Sequence, residues 1–396
     1  MLDISDRDLY ADHVPYDFFA ELRERPGLYW QVEQDGPGYW AVTRYHDILP
    51  IYRDWRTFSS AAKSAQMHNY DESVLVMLRR MLPNMDPPEH TEFRRIYMRW
   101  ISAHLDWLRS QVDGIVASQM EPLEGREEID FLADFARYVP VRVIGMMMGV
   151  PESDLSLMLD WCDRLAGVDD PEFHDAGLAA AMEVIAYTTE LAASFRREPQ
   201  DNLTSDLANA TIDGRALDDL EVGLQFLAML VGGNETTRQG MCYFILGYDT
   251  MAEARRTDCL VNLRNAGEEA LRWGSPVLGS RRTATQDVEV AGTKIAAGDK
   301  VFLYYASADR DPAQYVDPDE FDVTRRNAST HLQFGAMGPH RCLGAAITQM
   351  EMDSTIRHLV RAYPRLRVSG PVTRLRSNFF NAVKTLPIRL EGHDAG

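Results

Sequence analysis

The chain has no run of apolar residues approaching the roughly 20 that cross a bilayer. It has no CxxC pair and no excess of positive charge. Its four cysteines, Cys162, Cys242, Cys259 and Cys342, lie far apart among 396 residues, which excludes a disulfide framework or a zinc site built on paired thiols. With 41 Lys and Arg against 60 Asp and Glu, the formal charge is −19. That disfavours nucleic acid and adhesion to anionic membranes, both of which need basic surface. The opening residues, Met1 to Asp8, are polar and acidic and lack the apolar core of a signal peptide. A reducing cytoplasm is the expected location. No internal repeat or Pro/Gly/Ser-rich linker divides the chain, so one large domain over residues 1–396 is expected. Apolar residues at 45% suffice for a sizeable core, and 26% charged residues argue against disorder.

What is present reads as mainly α with a smaller β part. Aromatic and β-branched residues around Asp35-Gly36-Pro37-Gly38 predict a hairpin, with strands near Leu28–Glu33 and Tyr39–Thr43. Residues 46–272 read mostly as helix. Asp86-Pro87-Pro88-Glu89 opens one helix, and Gly149-Val150-Pro151 stops another. Asp218-Asp219-Leu220-Glu221 fits a capping box heading a long apolar helix that runs to about Tyr248. Beyond Trp273, strands are predicted at Arg282–Ala284, Val288–Val290, Lys294–Ile295 and Val301–Tyr305. A long loop from about Ser307 to Cys342 then precedes a last long helix, and Arg367–Leu390 returns to strand.

The strongest chemical signal is Phe334-Gly335-Ala336-Met337-Gly338-Pro339-His340-Arg341-Cys342-Leu343-Gly344. Glycines let the backbone turn tightly against a flat ligand. A cysteine at a helix N-terminus, beside His340 and Arg341, is in surroundings that favour thiolate, the form that ligates a haem iron. A second signal lies in the long helix, at Gly232-Gly233-Asn234-Glu235-Thr236-Thr237. Two adjacent glycines inside a helix cost about 1 kcal/mol each relative to alanine. A kink that opens a groove for a diatomic ligand would account for them. Cleaving dioxygen consumes two protons, and Glu235 and Thr236 supply a proton carrier and a hydrogen-bond partner. Each motif alone has an ordinary alternative, a buried cysteine in a tight turn or a helix packed through its glycines. Their joint occurrence decides between the readings.

Together these residues resemble the cytochrome P450 family. Gly338, His340, Cys342 and Gly344 match the family's FGxGxHxCxG loop, with one extra residue between Phe334-Gly335 and Gly338. Gly232, Gly233, Glu235 and Thr236 match its [A/G]GxxT element. Glu269 and Arg272 match its ExxR element, with Arg325 as their natural third partner and a structural role for all three. The resemblance implies the cytochrome P450 fold, a long central helix over haem b with the cysteine loop beneath. It implies Cys342 as the axial ligand to iron and Glu235 and Thr236 as the catalytic pair. His90, Arg94, Arg282 and His340 would hold the propionates. Phe334, Gly344, Gly232 and Gly233 complete the haem contacts. Some bacterial sterol- and terpenoid-hydroxylating members look similar in the cysteine loop.

The expected activity is insertion of one oxygen atom from dioxygen into a medium-sized hydrophobic molecule. Electrons would come from NAD(P)H through a separate ferredoxin reductase and ferredoxin, the latter docking on Arg95, Arg99 and Arg341. Helical spacing from Thr236 places Met229, Ala228 and Gln225 in the substrate pocket. The segment 62–82, with Met67, Tyr70, Val74, Leu75 and Leu78, would cover it, His68 and Asn69 adding polar points. Val277 and Leu278 would form a second wall. Alternatives on the same scaffold are oxidative coupling, ring formation or peroxide-driven oxidation in secondary metabolism. A non-catalytic haem sensor is a third reading.

Overall fold

The central helix begins where the sequence places its cap. Asp218 accepts a hydrogen bond from the Glu221 amide at 2.7 Å, and Glu221 reaches back to the Asp218 amide at 2.8 Å. The helix then runs Asp219–Thr250, 32 residues, or about 48 Å. The computed structural model describes residues 2–33, 36–173 and 176–391.

The central helix is hydrophobic nearly all round because it is buried nearly all round. Its first half, through Val222, Phe226 and Leu230, packs with the helices Glu89–Ala103, Tyr138–Met148 and Ala176–Arg197. Its second half, through Met241, Phe244, Ile245 and Tyr248, packs with Leu263–Gly274 and Ala345–Ala362. Tyr138–Met148 stops at Gly149, whose φ of 73° is the left-handed cap that glycine adopts without strain.

The β part is a five-stranded sheet in the order Tyr29–Gln31, Tyr39–Val42, Lys300–Tyr304, Gly279–Ala284, Phe58–Ser59. Lys300–Tyr304 lies parallel to Tyr39–Val42 and antiparallel to Gly279–Ala284. The hairpin strands form, though the expected turn includes Asp35, which lies outside the described residues. Tyr305 leaves the predicted strand and starts a helical turn, Tyr305–Ala308. From there to Cys342 the described chain adds only one short helical turn, Ala328–Thr330. The C-terminal strands Arg367–Val368 and Pro387–Arg389 pair with each other, and the latter also with Glu128–Asp130.

This loop is held by a buried ion triad. Glu269 and Arg272 are fully buried, three residues apart on one helix. The Glu269 carboxylate accepts from Arg272 Nε at 2.7 Å and Nη2 at 2.8 Å, and from Arg325 Nε at 3.1 Å. Arg272 further donates to the carbonyls of Asp309, Pro318 and Glu320, and Arg325 to those of Asp317 and Glu320. Carbonyls that no sheet or helix satisfies thus find partners, as buried backbone requires.

Candidate active site

The cysteine loop and the central helix face each other across a cavity of about 380 Å³. Cys342 sits three residues before the helix Ala345–Ala362, its amide donating to the Phe334 carbonyl at 2.9 Å. This closes the loop around the inserted residue. The loop is pressed onto Tyr52, whose hydroxyl donates to the His340 carbonyl at 2.9 Å. A Cβ at Gly335, where φ is 70°, would come within 2.1 Å of that hydroxyl. Glycine is required there on both counts.

Burial raises the Cys342 thiol above its ordinary pKa; the amides of Gly344 and Ala345 and the guanidiniums of Arg94 and Arg341 oppose the shift. Burial also lowers His340, against the opposing pull of Asp86, so its positive charge is disfavoured, contrary to expectation. The thiolate environment comes from the helix N-terminus and the two arginines, with desolvation against them.

Opposite Cys342, Ala228, Met229, Gly232, Gly233 and Thr236 line the cavity. The helix continues through both glycines, so the opening owes to absent side chains and not to a break. A Cβ at Gly232 would meet nothing within 4 Å, whereas one at Gly233 would lie 2.9 Å from Ile144 Cδ1. Thr236 Oγ1 donates to the Gly232 carbonyl at 2.8 Å.

Glu235 is placed differently from expectation. It is buried and outside the cavity lining. Its carboxylate pairs with Arg238 and accepts from Gln239 Nε2 at 2.9 Å. Arg238 also donates to Asp163 at 2.8 Å, and Asp163 binds Arg137 at 2.6 Å. Adjacent positions on a helix point about 100° apart, so Thr236 and Glu235 cannot both face the cavity.

The anchor residues converge. His90, Arg94, Arg282 and His340 all line the cavity, with the His90 and His340 rings 4.4 Å apart. His90 Nδ1 and His340 Nε2 are buried without a hydrogen-bond partner, Asp86 standing 3.9 Å from the latter, and Arg94 makes none with protein among the described residues. Burial, with His340 and Arg94 nearby, pushes His90 down to about 3. Arg282 lies over the Tyr52 ring at 5.0 Å and donates to Ser280 Oγ at 3.2 Å. Buried imidazole nitrogens without partners, beside guanidiniums that make no ion pair with protein among the described residues, are what a dianionic ligand edge satisfies. The residues present therefore fit haem: Cys342 would hold the iron, and these four the propionates. Phe334 and Gly344 line the same cavity.

Several predicted substrate contacts lie elsewhere. Val277 lines the cavity, but Leu278 packs with Ile4, Tyr10 and Phe302, as strand alternation demands. Met67 joins that same cluster while its neighbour Gln66 faces the cavity. Val74 is exposed, and Leu75 is buried away from the lining. Tyr70 stands behind Gln66, donating to Gln66 Oε1 at 2.6 Å. Gln225 is a turn too early; it binds the Arg80 carbonyl at 2.6 Å and the Leu82 amide at 3.3 Å, and so pins the wall. His68 and Asn69 also lie outside the lining, while Leu78 is in it. Sequence reading missed Tyr52, Asn84, Phe379 and Phe380, which long-range folding brings to the cavity and no local pattern marks.

Known proteins place this geometry. The sequence profile described as Cytochrome P450 matches residues 260–381. The chain is 30% identical over 400 residues to a steroid C26-monooxygenase of Rhodococcus jostii (strain RHA1), covering 98% of this chain and 84% of that protein. It is 33% identical to a linalool 8-monooxygenase of Pseudomonas putida, covering 98% of each. The structure of a Mycobacterium marinum cytochrome P450 in complex with pseudoionone superposes with a TM-score of 0.88 at 29% identity, covering 98% of each chain. The chain belongs to the cytochrome P450 family. It is a monooxygenase, and its cofactor is haem. Haem held by the Cys342 thiolate would supply the oxygen activation, electron density from sulfur favouring O–O cleavage. No helix among the described residues is long and apolar enough to cross a membrane.

Proposed function

We propose that this chain inserts one oxygen atom from dioxygen into a medium-sized hydrophobic molecule. Electrons would come from NAD(P)H through separate ferredoxin reductase and ferredoxin proteins. The observation that carries the reading is the Cys342 thiol facing Thr236 and the open space at Gly232 across one cavity. Away from the anchors the lining is mostly apolar, with Leu78, Met81, Leu82, Met229, Phe379 and Phe380. Such a surface binds by burying hydrocarbon and excludes water from the reaction. The relatives' named substrates, a steroid and linalool, are of that kind.

Thr236 would hold the hydrogen-bond position nearest the reacting oxygen. Glu235 would carry protons toward it, positioned by Arg238, while the half-buried Asp163 that binds Arg238 and Arg137 lies on the side toward solvent. The proposed ferredoxin surface consists of Arg95, Arg99 and Arg341, all exposed. Arg95 pairs with Glu92 and Arg99 with Asp206, so the patch is less positive than the sequence alone suggests. Charge reversal of Arg95 and Arg99 should slow reduction by a ferredoxin and flatten its salt dependence; an unchanged rate and salt dependence would remove this surface from the proposal.

The test of the function is spectroscopic first. Purified protein should bind haem, and its ferrous carbonyl complex should absorb at the strongly red-shifted position of a thiolate ligand. Cys342→Ala should abolish that band. NADPH consumption should couple to oxygenated product once partners and a hydrophobic substrate are supplied. Absence of haem, or a band that persists without the sulfur, refutes the reading.

A further inference from the structure

Away from the residues that would hold the propionates the cavity is mostly apolar, yet one hydrogen-bond donor there is unspent. Asn84 has both ends of its amide tied to protein, Oδ1 to the Ala65 amide at 2.8 Å and Nδ2 to the Leu78 carbonyl at 3.1 Å. Gln333 is likewise occupied, by the Val277 amide at 2.9 Å and Asp309 at 2.8 Å. The Thr236 hydroxyl proton goes to the Gly232 carbonyl. Gln66 differs. Its Oε1 accepts from Tyr70 at 2.6 Å, and its Nε2 has no protein partner among the described residues while the side chain lines the cavity.

The orientation of that amide is set from behind. Tyr70 donates its one hydroxyl proton to Gln66 Oε1 and has no other acceptor among the described residues, which sets the amide oxygen on Tyr70 and turns its nitrogen toward the cavity. Burial pushes Tyr70 up to about 12, keeping the proton on the hydroxyl. The ring is stacked on His68, at 5.5 Å between centroids and 30° between planes. His68 Nε2 lies 3.1 Å from Asp169, on the far side of the cavity cover. An amide locked in this way offers a directed donor at low entropic cost.

We infer that Gln66 determines specificity by donating a hydrogen bond from Nε2 to a carbonyl or hydroxyl oxygen of the substrate, with Tyr70 as the positioning residue. This rests on the proposed oxidation and narrows its substrate class to hydrophobic molecules bearing an oxygen acceptor. An apolar molecule without one leaves the donor unpaired in a site that excludes water, which costs affinity.

The test is equilibrium binding to the haem-loaded protein, read by the haem spectrum. Three matched pairs serve as probes: 2-adamantanone and adamantane, cyclododecanone and cyclododecane, 5α-cholestan-3-one and 5α-cholestane. The ketone of at least one pair should bind about two- to tenfold tighter than its hydrocarbon, the range of one neutral hydrogen bond. Its infrared carbonyl stretch should move to lower frequency on binding. Gln66→Leu should equalise the pair and abolish the shift. Gln66→Glu keeps the size and the Tyr70 bond but presents only acceptors, so it should do the same if the leucine variant folds poorly. Tyr70→Phe should reduce the ketone preference while leaving hydrocarbon binding unchanged. Equal binding of ketone and hydrocarbon in every pair overturns the assignment. So does a preference or band shift surviving in both Gln66 variants, or failure of all three ketones to bind. The ferrous carbonyl spectrum separates these outcomes from failure of the function, because loss of its thiolate band sinks the oxidation itself.

Discussion

Removing one carboxylate behind the cysteine loop should cost the protein its haem. Glu269→Leu leaves Arg272, fully buried, and Arg325, 7% exposed, without their shared counter-charge. Breaking a buried pair by deleting one partner costs about 3–5 kcal/mol, because the surviving charge has lost both water and partner. Here two guanidiniums are stranded, so the upper end applies. The Asp322 amide, which donates to Glu269 at 2.9 Å, is orphaned as well. Taking an unfolding entropy of about 2.1 cal/mol/K per residue, 5 kcal/mol lowers the midpoint of a chain this long by roughly 6 °C. Arg325→Leu should cost less, about 1–3 kcal/mol, because Glu269 keeps its bidentate bond to Arg272 and the main loss is of donors to backbone carbonyls. The assay is thermal unfolding together with the ratio of haem to protein absorbance after purification. The glutamate variant should show the larger drop in both. A Glu269→Leu protein that loads haem normally and unfolds within about 1 kcal/mol of the parent would refute the claim that this triad holds the loop.

Further outcomes follow from the same geometry. Gly232→Ala should stabilise the central helix by about 0.5–1 kcal/mol, since its Cβ meets nothing, yet weaken diatomic-ligand binding by filling the space above Cys342. Gly233→Ala should instead push on Ile144 and gain less; carbon monoxide affinity and melting curves distinguish the two. Glu235→Gln should slow product formation about 100-fold or more while leaving ligand affinity within twofold, because the carboxylate sits outside the cavity; steady-state turnover against spectral titration checks it. Glu351 is buried with no charged partner, and burial raises its carboxyl well above the ordinary range. The folded state then binds more protons than the unfolded state, so stability is full in acid and falls as pH rises through the raised value. Glu351→Gln should raise the melting temperature at pH 8 more than at pH 5, and equal shifts at both would contradict this.

Local chemistry carried a large part of this protein. The capping box at Asp218 and the stop at Gly149 are dictated by neighbours in the chain. Their formation needs only backbone geometry and a handful of adjacent side chains. The cysteine loop was equally legible, because a metal-ligating thiolate needs glycines and a helix N-terminus close in sequence. Spacing also brought out Glu269 and Arg272, one turn apart.

Direction was decided by the tertiary structure. Gln66 faces the cavity while Met67 joins the cluster around Phe302, and Val277, bridged to Phe380, faces it while Leu278 does not. Which of each pair turns inward depends on what the surrounding elements pack against. Glu235 turned to Arg238, one turn along the same helix, since a buried carboxylate needs a counter-charge, and Asp163 from another helix holds that arginine in place. Tyr52, Phe379 and Phe380 reach the cavity from segments hundreds of residues apart. Sequence period sets which residues share a face; only the packing of distant elements sets what that face meets.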